Sequence, residues 1–197
     1  LGFGGDPATR VDIGAEDELG WLMVDDGSGL KPVVDVAAYE TDSNPDGAAI
    51  DSNPFSLVPV AEGALVVSDA GGNALLNVSA AGEISTLTVF PNREAKAPDG
   101  SDIPMNPVPT GVTSDANGDL TVGELTGFPF PIGGANVYTV SAGGGDPTST
   151  LDGFTNVIDV AAGPDGSTYV LEMLTGSMLG ANPADPSTLN GQLTRVS

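Results

Sequence analysis

Apolar and polar residues alternate in short runs along this chain, and the runs recur at intervals of roughly 50 residues, the spacing of propellers and solenoids. Three stretches align. The first runs from Asn53 through Val60, turns at Ala61-Glu62-Gly63 and returns through Ala64-Leu65-Val66-Val67-Ser68-Asp69-Ala70. The second runs from Pro109 through Ala116, turns at Asn117-Gly118-Asp119 and returns through Leu120–Leu125. The third runs from Asn156 through Gly163, turns at Pro164-Asp165-Gly166-Ser167 and returns through Thr168–Met173. Asn-Gly and Asp-Gly between apolar β-formers predict tight hairpins, because the turn needs left-handed backbone.

Further strands follow each hairpin. Ala74–Val78 and Ile84–Phe90 follow the first, Asn136–Val140 and a weaker run near Ser149–Leu151 the second, and only Gly191–Val196 the third. In front, Gly20–Val24 and Pro32–Val36 read as the last two strands of an earlier unit, and Val36–Tyr39 as a short helix. The fold class is all-β. Four-stranded antiparallel units at this period are β-propeller blades. The expected domain is a single, partial propeller over residues 1–197, with blades at about 1–40 (partial), 53–91, 109–152 and 156–197, the last lacking a strand. Roughly three to three and a half blades fall short of a closed ring, so the missing portion, another chain or a further copy of this one is the expected partner.

Charge narrows the functions. Acidic side chains outnumber basic ones 27 to 5, giving a net charge of -22 with no His and no Cys. This excludes thiolate and imidazole metal sites, Ser-His-Asp catalysis and disulfides. A surface so negative repels phosphate backbones, which excludes nucleic acid as a partner. It suits a salty or extracellular habitat, although an acid-biased composition gives the same sequence. No run reaches the roughly 20 apolar residues of a membrane span. No signal peptide is visible, and the opening Leu1 without Met suggests a processed or truncated start.

Several segments carry a family likeness: Leu1-Gly-Phe-Gly-Gly-Asp-Pro-Ala, Asp35-Val-Ala-Ala-Tyr-Glu, Asn44-Pro-Asp-Gly, Asp51-Ser-Asn-Pro-Phe, Asp69-Ala-Gly-Gly-Asn, Pro109-Thr-Gly-Val, Gly123-Glu-Leu-Thr-Gly-Phe-Pro-Phe-Pro and Phe154-Thr-Asn-Val-Ile-Asp. Taken in order, they resemble the ScyD/ScyE family, proteins encoded with scytonemin biosynthesis in cyanobacteria, and Gly123–Pro131 is the most specific part. The resemblance implies a six-bladed propeller related to NHL-repeat and SMP-30/gluconolactonase-like proteins, often exported, of which this chain is about the C-terminal half. It implies a secreted or periplasmic location and no defined biochemical activity.

Superimposing the repeats brings Asp69, Glu124 and Glu172 to one position, late in the second strand, and Asn53, Thr110 and Asn156 to another, at the start of the innermost strand. Both sets are expected near one mouth of the central channel. Carboxylate and amide oxygens converging there would suit Ca²⁺, Mg²⁺ or Mn²⁺. Water on such an ion, with Asp159 as base, could attack an ester or lactone. The alternative is that the same residues brace loop amides.

Phe128 and Phe130, in the apolar loop Gly127–Gly133, could contact a flat aromatic ligand or could pack beneath their own loop. Asp69–Asn73 is a Gly-rich turn without the Lys of a phosphate loop. The acidic runs Asp42–Asn53 and Asp115–Asp119 lack EF-hand spacing and read as connections. Trp21 is expected in the core, and Asn77-Val78-Ser79 matches the glycosylation pattern. Three function classes follow: a ligand- or partner-binding propeller, a metal-dependent lactonase or esterase-like hydrolase, and a structural extracellular assembly protein. A divalent ion with an open position would favour the hydrolase, a plugged channel the binding module, and an edge strand paired with a neighbour the assembly.

Overall fold

Every sheet is antiparallel and joins strands that follow one another in the chain. The computed structural model describes residues 4–197; Leu1, Gly2 and Phe3 of the family-like opening lie outside the described residues. A short helix α1 (Pro7–Asp12), capped by the Asp6 carboxylate on Ala8 N and Thr9 N, precedes the hairpin β1 (Trp21–Asp25) and β2 (Leu30–Asp35). Helix α2 (Val36–Ser43) follows at the expected place and runs one turn longer than expected. Asp35 caps it, and Asn44 ends it in the left-handed conformation.

The first blade comprises β3 (Pro54–Pro59), β4 (Leu65–Asp69), β5 (Ala74–Val78) and β6 (Ile84–Val89) in sequential order. A separate hairpin, β7 (Arg93–Lys96) and β8 (Asp102–Met105), then leads to the second blade. The second blade is β9 (Pro109–Ser114), β10 (Leu120–Glu124), β11 (Ala135–Val140) and β12 (Thr148–Phe154). The third contains β13 (Val157–Ala162), β14 (Thr168–Glu172) and β15 (Gln192–Val196). Gly118 and Gly166 adopt φ of 86° and 82° in the predicted turns, which explains the Asn-Gly and Asp-Gly signals.

The blades stack face to face. Because strand side chains alternate, Val66 of β4 enters a core with Val112, Leu120, Val122 and Tyr138 of the second blade, while its neighbour Val67 joins Leu22 and Val36 on the other side. In β11, Tyr138 faces the first blade and Val137 faces Val157, Val160 and Val170 of the third. Two-sided burial of this kind turns alternating strands into near-continuous apolar runs such as Leu65-Val66-Val67. The innermost strands β3, β9 and β13 lie side by side. This is propeller packing: four-stranded meanders arranged about their first strands. No helix among the described residues is long and apolar enough to cross a membrane.

Trp21 departs from expectation. It lies at the surface side of β1 and donates its indole N–H to Glu16 O at 2.8 Å, and Leu22 takes the core position instead.

Hydroxyl groups staple neighbouring blades. Ser68 on β4 donates to the Thr110 carbonyl of the next blade, and Thr110 Oγ1 lies 2.8 Å from Val157 O and 3.1 Å from Gly123 O. Gly111 lets β9 and β13 approach, since a Cβ there would lie 2.4 Å from Asp159 Oδ1 and 2.5 Å from Asp159 Cα. Replacing Thr110 by Val keeps the shape and removes the hydroxyl, leaving two buried carbonyls without it. Urea unfolding is expected to show a loss of about 1–2 kcal/mol; an unchanged midpoint would contradict the staple.

Candidate functional site

Asp69, Glu124 and Glu172 each end the second strand of a blade, and register places them opposite Pro54, Pro109 and Val157. The three carboxylates are therefore equivalent. Each first strand carries a bulge just after this pair. The residue before the pair is Asn53 in the first blade, Val108 in the second and Asn156 in the third. Their carbonyls accept the equivalent bonds from Ala70 N, Leu125 N and Met173 N at 2.9–3.0 Å. Val108, not Thr110, is thus the partner of Asn53 and Asn156. Thr110 follows the pair in β9 rather than preceding it, and its hydroxyl serves the blade interface.

The carboxylates are buried and occupied. Asp69 Oδ1 accepts from Asn53 N at 2.6 Å and from Gly71 N and Gly72 N at 3.1 Å, while Oδ2 accepts from Ser52 Oγ at 2.7 Å. Burial raises its pKa against these bonds. Glu124 Oε2 accepts from Asn136 N at 2.8 Å and from the Arg93 guanidinium at 2.6 Å, and Tyr138 donates to Oε1 at 3.4 Å. Burial raises the Glu124 pKa as well, opposed by Arg93. Glu172 Oε1 accepts from Thr155 N at 2.7 Å. Each carboxylate thus ties backbone near its own blade end, Glu124 also holding Arg93 of the β7–β8 hairpin. Among the described residues no three His, Cys, Asp or Glu side chains are grouped to hold a metal ion.

Asn156 is buried, with φ of 50°, and its amide nitrogen donates to Leu174 O and Gly176 O. Its Oδ1 and that of Asn53 are buried without a hydrogen-bond partner among the described residues. A cavity of about 310 Å³ opens at this end, lined by Asp51, Asn53, Gly71, Asn106 and Val108 among others. Asp159 stands exposed over Gly111, with Oδ1 bound to its own Val160 N.

The Phe128 loop adjoins the cavity through Asn106, whose carbonyl receives Gly127 N at 2.8 Å. Phe130 N bonds to Gly127 O, Gly133 N to Thr155 Oγ1, and Ser177 Oγ to Pro129 O. Thus pinned, the loop leaves Phe128 49% exposed, edge-on to half-buried Phe130 with ring centroids 6.4 Å apart. Non-glycine residues in left-handed backbone gather at the same end: Asn73, Val108, Thr126, Phe130 and Asn156. Such conformations cost on the order of 1–3 kcal/mol each and persist where surrounding structure enforces them.

Besides Val108, sequence reasoning missed two charged residues here. Glu40 of α2 is 1% exposed, and a Cβ at Gly72 would lie 2.8 Å from its Oε2 and 3.4 Å from Asp69 Cγ. Arg93 reaches Glu124 from the unexpected β7–β8 hairpin. The Pro98-Asp99-Gly100 turn was the available signal for that hairpin.

No family model matches the chain, and no curated protein matches it either. Among solved structures, an oxidoreductase (glucose dehydrogenase) from Thermus thermophilus is 13% identical with a TM-score of 0.46, covering 73% of this chain and 43% of its own. A streptogramin B lyase is 14% identical with a TM-score of 0.39, covering 91% and 62%. A catalytically inactive virginiamycin B lyase from Staphylococcus aureus is 13% identical with a TM-score of 0.32, covering 78% and 56%. The chain therefore spans about half the length of these structures. Its propeller architecture is read from its own strand order and blade packing.

Proposed function

We propose that the chain is part of an exported, acidic propeller of the ScyD/ScyE kind that binds a flat aromatic ligand at the end bearing Asp69, Glu124 and Phe128. The observation supporting this most is a half-exposed Phe128 ring on a loop pinned at several points, beside a polar cavity. A rigid exposed aromatic offers contact area at little entropic cost. In this reading the equivalent carboxylates hold the blade ends that carry the binding loops, and the protein is not a metal-dependent hydrolase. Saturation-transfer NMR with indole and 2-naphthol tests the proposal. Phe128→Ala is expected to weaken binding by roughly tenfold. Equal signals from wild type and variant would refute it.

Further blades are proposed to complete a six-bladed ring. Leu171, Met173 and Leu193 share the exposed face of the third blade, at 37%, 37% and 65% exposure, where both other blades bury theirs. Native mass spectrometry of the chain is expected to show assembly with a second copy or with the complementary blades. A lone 19.6 kDa species in the presence of both would count against ring completion.

A further inference from the structure

The opposite end of the first two blades holds a second cleft, of about 600 Å³. Its floor is the open end of the interblade core, formed by Val60, Val66, Leu87 and Leu120. The turns around it bring Glu62 and Glu83 to the rim. We propose that this cleft binds a small amine with an apolar body, the body on the aliphatic floor and the ammonium between Glu62 and Glu83.

Three observations support this. The volume falls in the range of about 300–1,000 Å³ typical of small-molecule sites, and the floor is aliphatic. No side-chain cation among the described residues neutralises the rim, because Arg10, Lys31, Arg93, Lys96 and Arg195 pair with Asp35, Asp26, Glu124, Asp102 and Asp165. Glu62 also occupies left-handed backbone, with φ of 60°, in a turn where glycine would relieve the conformation. Non-glycine residues in such costly conformations recur at ligand sites. A carboxylate pair above an apolar floor favours a cation over an isosteric neutral molecule and repels an anion.

The test is calorimetric titration at low salt with 2-phenylethylamine, 2-phenylethanol and 3-phenylpropanoate. The amine is expected to bind about tenfold more tightly than the alcohol, and the carboxylate not at all. Glu62→Gln with Glu83→Gln should remove the amine's advantage and leave alcohol affinity unchanged. A control pair, Asp17→Asn with Glu94→Gln, deletes the same charge elsewhere and should leave the advantage intact. Ala142→Leu should block both ligands. Equal binding of amine and alcohol to the wild type overturns the proposal. Equal losses in the two charge-deleted pairs do so too, since they would reduce the effect to the overall charge of -22.

Discussion

Glu40→Gln is expected to stabilise the protein at pH 8.5 by roughly 2–3 kcal/mol and to change little at pH 5. Burial, with Asp69, Asp46 and Asp51 adding negative charge, pushes the Glu40 carboxyl from its ordinary 4.5 up to about 7. The native state therefore holds a proton there that the unfolded chain releases. For a carboxyl raised in this way, stability is full below the unfolded value, falls as pH rises from about 4.5 through 7, and then levels off. That interval corresponds to about 3 kcal/mol. Glutamine imitates the protonated acid and removes the titration. Urea unfolding of both proteins from pH 5 to 8.5 should give curves that diverge as pH rises; parallel curves would refute a buried, proton-holding Glu40.

Arg93→Ala is expected to cost about 3 kcal/mol at pH 8, because it strands the Glu124 carboxylate in the blade core. Glu124 is 1% exposed, and Arg93 is its only cation among the described residues. The guanidinium side chain itself is 33% exposed, which places the cost at the lower end for buried pairs. The same substitution frees Gly134 O, which Arg93 also binds at 2.6 Å. As pH falls, the stranded Glu124 protonates and the penalty should shrink. Adding Glu124→Gln should recover roughly 1–2 kcal/mol, since no buried charge remains. Additive losses in the double variant would mean that the pair is not coupled.

What the sequence revealed followed from local chemistry. Asn117-Gly118 and Asp165-Gly166 mark their hairpins because few other residues accept that backbone, and runs such as Leu75-Leu76 mark strands buried on both faces. The equivalence of Asp69, Glu124 and Glu172 also follows from spacing alone. Other features depend on contacts distant in sequence. Arg93 and Glu124 are 31 residues apart, and no pattern links them. Glu40 lies in Glu-Thr-Asp, just past the helix expected at Val36–Tyr39, and nothing local marks it as buried; tertiary packing sets it against Gly72. Thr110 misaligns because polarity matches it to Asn53 and Asn156, whereas the position 16 residues before the carboxylate, which those two occupy, is Val108 in the second blade. Val108 escapes notice because a β-branched residue is a poor candidate for left-handed backbone.

In the proposed reading, Asp69, Glu124 and Glu172 brace the blade ends. Calorimetric titration of the chain with Mn²⁺ and Ca²⁺, compared with Glu172→Gln, tests this role most directly. Braces predict only weak, unsaturating heat from the acidic surface, the same in both proteins. One ion bound per chain, and lost in Glu172→Gln, would contradict that role and favour the metal-dependent hydrolase.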